Sequence, residues 1–438
     1  MIKKNILANI IGKFWSLLSS FLFIPLYISY LGFDSYSIIS FTLMIAGVMA
    51  VIDSGLTATL SREFARQDTT ASEKLRIYKN LEFAYFIITF ICIFSIYLSA
   101  DFVARKWLNV EAFSEEQVGL FLKIISFEIG FQLLFRFYVG GFLGLDKHIE
   151  ANFFQVIWGV LRNGLVVIVI MVVPTLEAFF IWQTISTITV CILIKIFLDK
   201  NILGRFTIEI NYKLEKSVFN KIWKFASGMM LISIVSALNT QLDKVAISKL
   251  LSIENLGYYT LAISLSQVLV ILVNPIFTTL LPRFTAYYSA NKNGEAKKLF
   301  VKSSLLVSIM IFSIMSVMIF FAKDLIWIWT GNSELASKTY LLIPITALAY
   351  GMFALQPLPY VIALSNGYTK LNNLLGVTSL IITIPGYYFA TEHYGAIGAA
   401  GVFCIVQILS TMIFMYFINK KFIKSDILKD VYWKQIIL

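Results

Sequence analysis

Apolar residues along this chain come in long unbroken stretches separated by short polar ones. The stretches fall at about 6–30, 36–60, 81–100, 119–143, 153–173, 176–198, 222–249, 256–282, 300–322, 339–364, 371–390 and 395–418. A helix needs about 20 apolar residues to cross the ~30 Å hydrocarbon core of a bilayer, and each stretch is of that order. A membrane β-barrel would show alternating segments of about ten residues, and none appear. The pattern predicts an all-α, polytopic membrane protein with 12 transmembrane helices. Composition agrees: 58% of the 438 residues are hydrophobic and only 14% charged. That excludes a water-soluble globular enzyme, which could not hide so much apolar surface, and a disordered chain.

The net charge of +11 is read through its distribution. The amino end, the carboxyl end and the loops on their side carry 24 Lys and Arg; the opposite loops carry five: Arg105, Lys106, Lys249, Lys323 and Lys338. Basic loops stay in the cytoplasm, so both termini are expected there. The basic residues sit at membrane edges, which argues against nucleic acid as partner. The first stretch, after Lys3-Lys4, has no small-residue cleavage site and reads as a retained span. Trp107, Trp327 and Trp329 lie in the two longest external loops, as an interfacial aromatic belt would. In 419–438, Ile423, Ile427 and Val431 recur at helical spacing with lysines between them: an amphipathic cytoplasmic tail on the membrane surface or a solvated one.

The second half echoes the first at an offset of 221 or 222 residues. Ser61-Arg62-Glu63-Phe64 matches Pro282-Arg283-Phe284, Trp107-Leu108-Asn109 matches Trp329-Thr330-Gly331-Asn332, and Gly144-Leu145-Asp146-Lys147 matches Ser365-Asn366-Gly367-Tyr368. Six spans per repeat is an even number, so the halves cross in the same direction and form two lobes about a pseudo-twofold axis along the membrane normal. The expected domains are a six-helix lobe at 1–198, a cytoplasmic linker at 199–221, a second six-helix lobe at 222–418 and the tail at 419–438. Hinge candidates are Gly140 and Gly141 in the fourth span, Pro275 in the eighth, and Pro357 and Pro359 in the tenth.

Charges at membrane depth are costly and normally face a cavity or a partner. Glu128, Gln132 and Arg136 share one helical face of the fourth span, and Arg162 lies in the fifth. In an antiparallel hairpin both guanidiniums would sit at similar depth and suit a diphosphate; alternatively Glu128 neutralises an arginine inside the bundle. Lys13 and Asp53 either face each other or Lys13 snorkels. Asp243 and Lys244 lie in a polar cluster of the seventh span, and Arg62 and Arg283 end equivalent spans, as cargo contacts or as topology signals. Cys92, Cys191 and Cys404 form no metal spacing, His148 and His393 are far apart, and no phosphate loop or nucleophile elbow appears.

Asn9, Gly12, Pro25, Leu31-Gly32, Tyr36 and Asp53-Ser54-Gly55-Leu56 before Arg62 resemble the start of polysaccharide transporters. Gln241-Leu242-Asp243-Lys244, Leu250-Leu251 and Leu256-Gly257-Tyr258-Tyr259 resemble the start of their second lobe. Ser37 departs from the glycine often found there. The resemblance is to the multidrug/oligosaccharidyl-lipid/polysaccharide exporter superfamily, nearest its O-antigen flippases. It implies a non-enzymatic flippase of the bacterial inner membrane. Its cargo would be an oligosaccharide on undecaprenyl diphosphate, its partners membrane lipid, a polysaccharide polymerase and a chain-length regulator. With no cofactor, drive would come from the substrate gradient or from H+ or Na+ at Asp53, Glu128 or Asp243. Competing readings are a lipid II or spore-wall flippase, a drug/cation antiporter, against which Arg136 and Arg162 argue, and a membrane polymerase or glycosyltransferase, against which the short external loops argue.

Overall fold

A computed structural model describes residues 15, 19, 21–66, 70–203 and 216–424, without the side chains of 51–56, 71, 203 and 216–232. Among the described residues every regular element is helical. In order they are α1 (Ile24–Leu31), α2 (Phe33–Ala65), α3 (Ala71–Phe102), α4 (Glu115–Gly144), α5 (His148–Gly159), α6 (Leu165–Val172), α7 (Leu176–Leu203), α8 (Lys216–Leu250) and α9 (Ile253–Ser266). Then follow α10 (Val268–Ser289), α11 (Asn293–Phe320), α12 (Ala322–Thr330), α13 (Ser333–Thr339), α14 (Leu342–Leu355), α15 (Pro357–Ser365) and α16 (Lys370–Ile418). Wider π turns occupy Val103–Trp107, Val160–Gly164 and Asn419–Ile423. Nine described helical segments are long and apolar enough to cross a membrane. A helix satisfies its own backbone, which hydrocarbon cannot do for it.

The helices show what surrounds them. On α3, Phe83, Phe86, Phe90, Phe94, Tyr97 and Leu98 are all exposed and follow helical spacing. Such a stripe facing outward is a lipid-facing surface. The chain is a multi-pass membrane protein. Capping boxes at Thr70/Glu73 and Ser114/Gln117 start α3 and α4.

The chain divides into two compact units: Met1–Gln241 with Ser252–Gly257, and Leu242–Leu251 with Tyr258–Leu438. The division falls within and just after α8. In the first unit α4 is the buried centre, packed against α2, α3 and α7. In the second, α14 packs against α11 and α16, and α10 against α15. Gly395 has φ 61° and ψ −149°, which interrupts α16 between the two apolar stretches of that region.

Each unit contains the same two local devices. After α4, Lys147 N–H bonds Phe142 O at 2.9 Å and Asp146 has φ 60°. After α15, Tyr368 N–H bonds Ala363 O at 2.8 Å and Gly367 has φ 66°. A Cβ on Gly130 would strike Ile93 at 2.4 Å and crowd Thr89 at 3.2 Å; one on Gly351 would strike Met315 at 2.7 Å and touch Ile311 at 3.6 Å. These are the residues an offset of 221 or 222 relates. The close helix approach is possible because glycine has no side chain.

Candidate functional site

One polar cluster of the first unit's interior lies where α4 meets the π turn Val160–Gly164. Here Arg162 is buried, although it sits in an apolar span. Its Nε donates to Glu128 Oε1 at 2.7 Å and its Nη1 to Asn163 Oδ1 at 2.9 Å. The guanidinium also lies 5.4 Å from the Trp158 ring centroid, a favourable placement for a cation. Gln132 and, at 3.5 Å, Thr187 donate to the same Glu128 oxygen. Trp158 Nε1 donates to Thr187 at 3.0 Å.

The π turn explains how this arginine is presented. Its wider i→i+5 bonding leaves carbonyls without their usual partners. Trp182 Nε1 donates to Leu161 O at 2.8 Å and the Tyr27 hydroxyl to Asn163 O at 2.6 Å. Asn163 in turn donates to Ser19 at 3.2 Å. The turn is therefore clamped from α1 and α7, and Arg162 is held on Glu128.

Arg136 is placed differently. It is half-buried on α4, eight residues beyond Glu128, or about 12 Å by helical rise. Among the described residues it has no hydrogen-bond or ion-pair partner. The spacing of the two arginines about the α4–α5 turn suggested a level pair. Instead, Arg162 reaches the Glu128 level, two helical turns from Arg136. Among the described residues, this one carboxylate and two guanidiniums leave one positive charge over, at Arg136. A guanidinium of this kind can make forked, charge-assisted bonds to phosphate oxygens.

In the second unit Asp243 is buried on α8. Its carboxylate accepts from Tyr259 at 2.8 Å and from the Lys244 backbone N–H at 2.8 Å. Lys244 Nζ lies 3.7 Å from Asp243 Oδ1.

Residues 2–288 match the family of polysaccharide biosynthesis proteins, and residues 228–389 match the MatE family. This chain belongs to the polysaccharide biosynthesis protein family. A proposed O-antigen transporter of Shigella flexneri is 20% identical over 389 residues, 88% of this chain and 90% of that protein. The fold resembles an inward-facing multidrug resistance MATE family transporter of the MOP superfamily, with TM-score 0.73, 11% identity and 94% of each chain covered. It also resembles the lipid II flippase MurJ in an inward closed conformation, with TM-score 0.74 and 15% identity over 98% of this chain and 90% of that one.

The other candidate residues of this family member fall as follows. Lys13 lies outside the described residues, as do the side chain of Asp53, part of the 199–221 linker and the tail beyond Lys424. Arg62 is half-exposed and 3.8 Å from Glu63; Arg283 is exposed. Gly140 and Gly141 lie inside the continuous α4, where added Cβ atoms would meet Thr57 at 2.5 Å and Leu198 at 2.8 Å. Pro275 lies within α10, whereas Pro357 and Pro359 open α15 after the break at Gln356.

Sequence reasoning overlooked a second buried network. Glu82 is paired with Lys79 at 3.0 Å and with Lys195, and accepts from Tyr138 at 3.0 Å. Asp199 faces Lys79 at 3.3 Å and Lys195 at 3.5 Å, and accepts from Tyr78 at 2.8 Å. The signal was present as Lys79 and Glu82 three apart and Lys195 and Asp199 four apart, the spacings at which helical side chains meet.

Proposed function

We propose that this protein is a flippase that carries an oligosaccharide on undecaprenyl diphosphate, an O-antigen-type repeat unit, from the cytoplasmic to the periplasmic leaflet of the bacterial inner membrane. The observation that carries the proposal is Arg136, a half-buried guanidinium in an apolar span with no counter-ion among the described residues. A charge at membrane depth costs at least ~2.5–3.5 kcal/mol unless water or an anion attends it. A cargo diphosphate supplies that anion, and Lys244, Arg62, Arg283 and Lys13 serve as further contacts along its passage. The Shigella flexneri relative supports a lipid-linked glycan as cargo.

The architecture behind this reading is 12 spans in two six-helix lobes, both termini cytoplasmic, related by a pseudo-twofold axis along the membrane normal. The shared turn and the shared glycine contact support the repeat. Lobes so related work by alternating access: one rocks against the other about a wet site while the polyprenyl tail stays in lipid. Asp53, Glu128 and Asp243 are the candidates for coupling to H+ or Na+; Glu128 would have to part from Arg162, and Asp243 from Tyr259 and Lys244.

The test is Arg136→Ala in cells and in reconstituted vesicles. Surface polysaccharide and flipping of the polyprenyl-diphosphate oligosaccharide should fall more than tenfold at normal protein level, with Arg136→Lys intermediate. Full polysaccharide in Arg136→Ala at normal protein level would remove this residue, and the cationic site with it.

A further inference from the structure

Three segments of the second unit change from apolar to basic at the same end. On α16, Leu409, Met412, Tyr416 and Phe417 are exposed, and Lys420 and Lys421 follow. On α11, Ile309 and Leu306 are exposed, and Lys302 and Lys298 precede them. At the start of α16, Val377 and Leu374 are exposed beyond Lys370. Exposed apolar side chains giving way to lysine mark the boundary between hydrocarbon and headgroups.

Contacts hold Lys297 and Lys421, and the backbone of Lys424, at this boundary. The π turn Asn419–Ile423 closes with Lys424 N–H on Asn419 O at 2.8 Å, and Lys424 has φ 52°, a conformation that side chains other than glycine's rarely adopt. Lys297 Nζ donates to the Lys424 carbonyl at 3.2 Å. Lys421 Nζ stands 3.5 Å from the Tyr368 ring centroid and 5.4 Å from that of Phe422. These contacts bring the start of α11, the α15–α16 turn and the end of α16 to one place. Among the described residues of these segments the one carboxylate is Glu295, already 3.0 Å from Lys298.

We propose that this lysine collar is a binding site for the phosphate headgroups of anionic phospholipids, separate from the cargo site. At the headgroup level of a bilayer the available anion is a lipid phosphate. A lysine held beside an aromatic ring keeps its remaining N–H donors for such an anion. The inference does not depend on what the protein carries.

The test is lipid binding by the purified full-length chain in neutral detergent, titrated with short-chain phosphatidylglycerol or phosphatidylcholine and read by native mass spectrometry. Phosphatidylglycerol should bind at least tenfold more tightly. Each basic residue near an anionic surface contributes roughly fivefold, so the triple variant K420A/K421A/K424A should lose most of that preference and the matching Lys→Arg variant should keep it. Raising KCl from about 50 to 500 mM should collapse the wild-type preference by screening, a check that needs no variant. Equal binding of the two lipids by the wild type, or an unchanged preference in the triple Ala variant, overturns the proposal. Competition by inorganic phosphate at the lipid's own concentration overturns it also, since the site would then take free phosphate.

Discussion

The two buried charge networks of the first unit use similar residues to opposite ends. Lys79, Glu82, Lys195 and Asp199 set two cations against two carboxylates, and Tyr78 and Tyr138 fill the remaining acceptor sites. The network closes on itself and ties α3, α4 and α7 together. The α4–π-turn cluster balances Glu128 with Arg162, and Arg136, two helical turns along α4, has no partner among the described residues. A network balanced like the first ties helices together. Under the proposed function, the unbalanced one offers its surplus charge to the cargo.

That contrast can be broken by experiment. The largest stability loss should follow Glu82→Ala. It takes a carboxylate from both Lys79 and Lys195, and breaking a buried pair costs about 3–5 kcal/mol. Thermal unfolding in detergent measures this, and wild-type stability would remove the network from the architecture.

Arg162→Ala should cost a similar amount, because Glu128 is left buried and unpaired. Glu128→Leu with Arg162→Met should recover most of it, as replacing both members of a buried pair with apolar groups is often neutral. A double variant as unstable as the single one would mean the pair does more than neutralise itself.

Arg136→Ala should change stability by less than about 1 kcal/mol, since no partner among the described residues is stranded, while transport falls. A large stability loss there would erase the distinction between the two networks.

The smallest effect is expected at α13, where both charges are in water. Glu334 bonds Lys338 at 2.8 Å and lies below the usual carboxylate range for that reason. Lys338 is pushed up to about 12 by its bond to Glu334, then by Tyr258. A raised lysine stabilises below its ordinary pKa and loses that contribution as pH rises through about 12; a lowered carboxylate loses its own as pH falls through its folded value. Both contributions are fully present between pH 6 and 9, but water screens so exposed a pair, so Lys338→Ala and wild type should unfold at nearly the same temperature there. A difference comparable to that of Glu82→Ala would show that surface pairs matter here as much as buried ones.

The all-helical class and the membrane setting were legible in the chain, because a backbone in hydrocarbon must bond to itself and only long apolar stretches allow that. The paired turns at Asp146 and Gly367 were legible too, since short polar punctuation stands out between apolar runs. The face shared by Glu128, Gln132 and Arg136 followed from helical spacing alone. Which arginine Glu128 takes did not. Arg162 reaches it through the π turn Val160–Gly164, clamped by Tyr27 and Trp182 from helices distant in sequence. The Lys79–Glu82–Lys195–Asp199 network was hidden for the same reason: its halves lie more than 110 residues apart. Local periodicity acts through neighbouring backbone bonds and so is written along the chain; the pairing of charges depends on which helices pack together, and packing alone decides that.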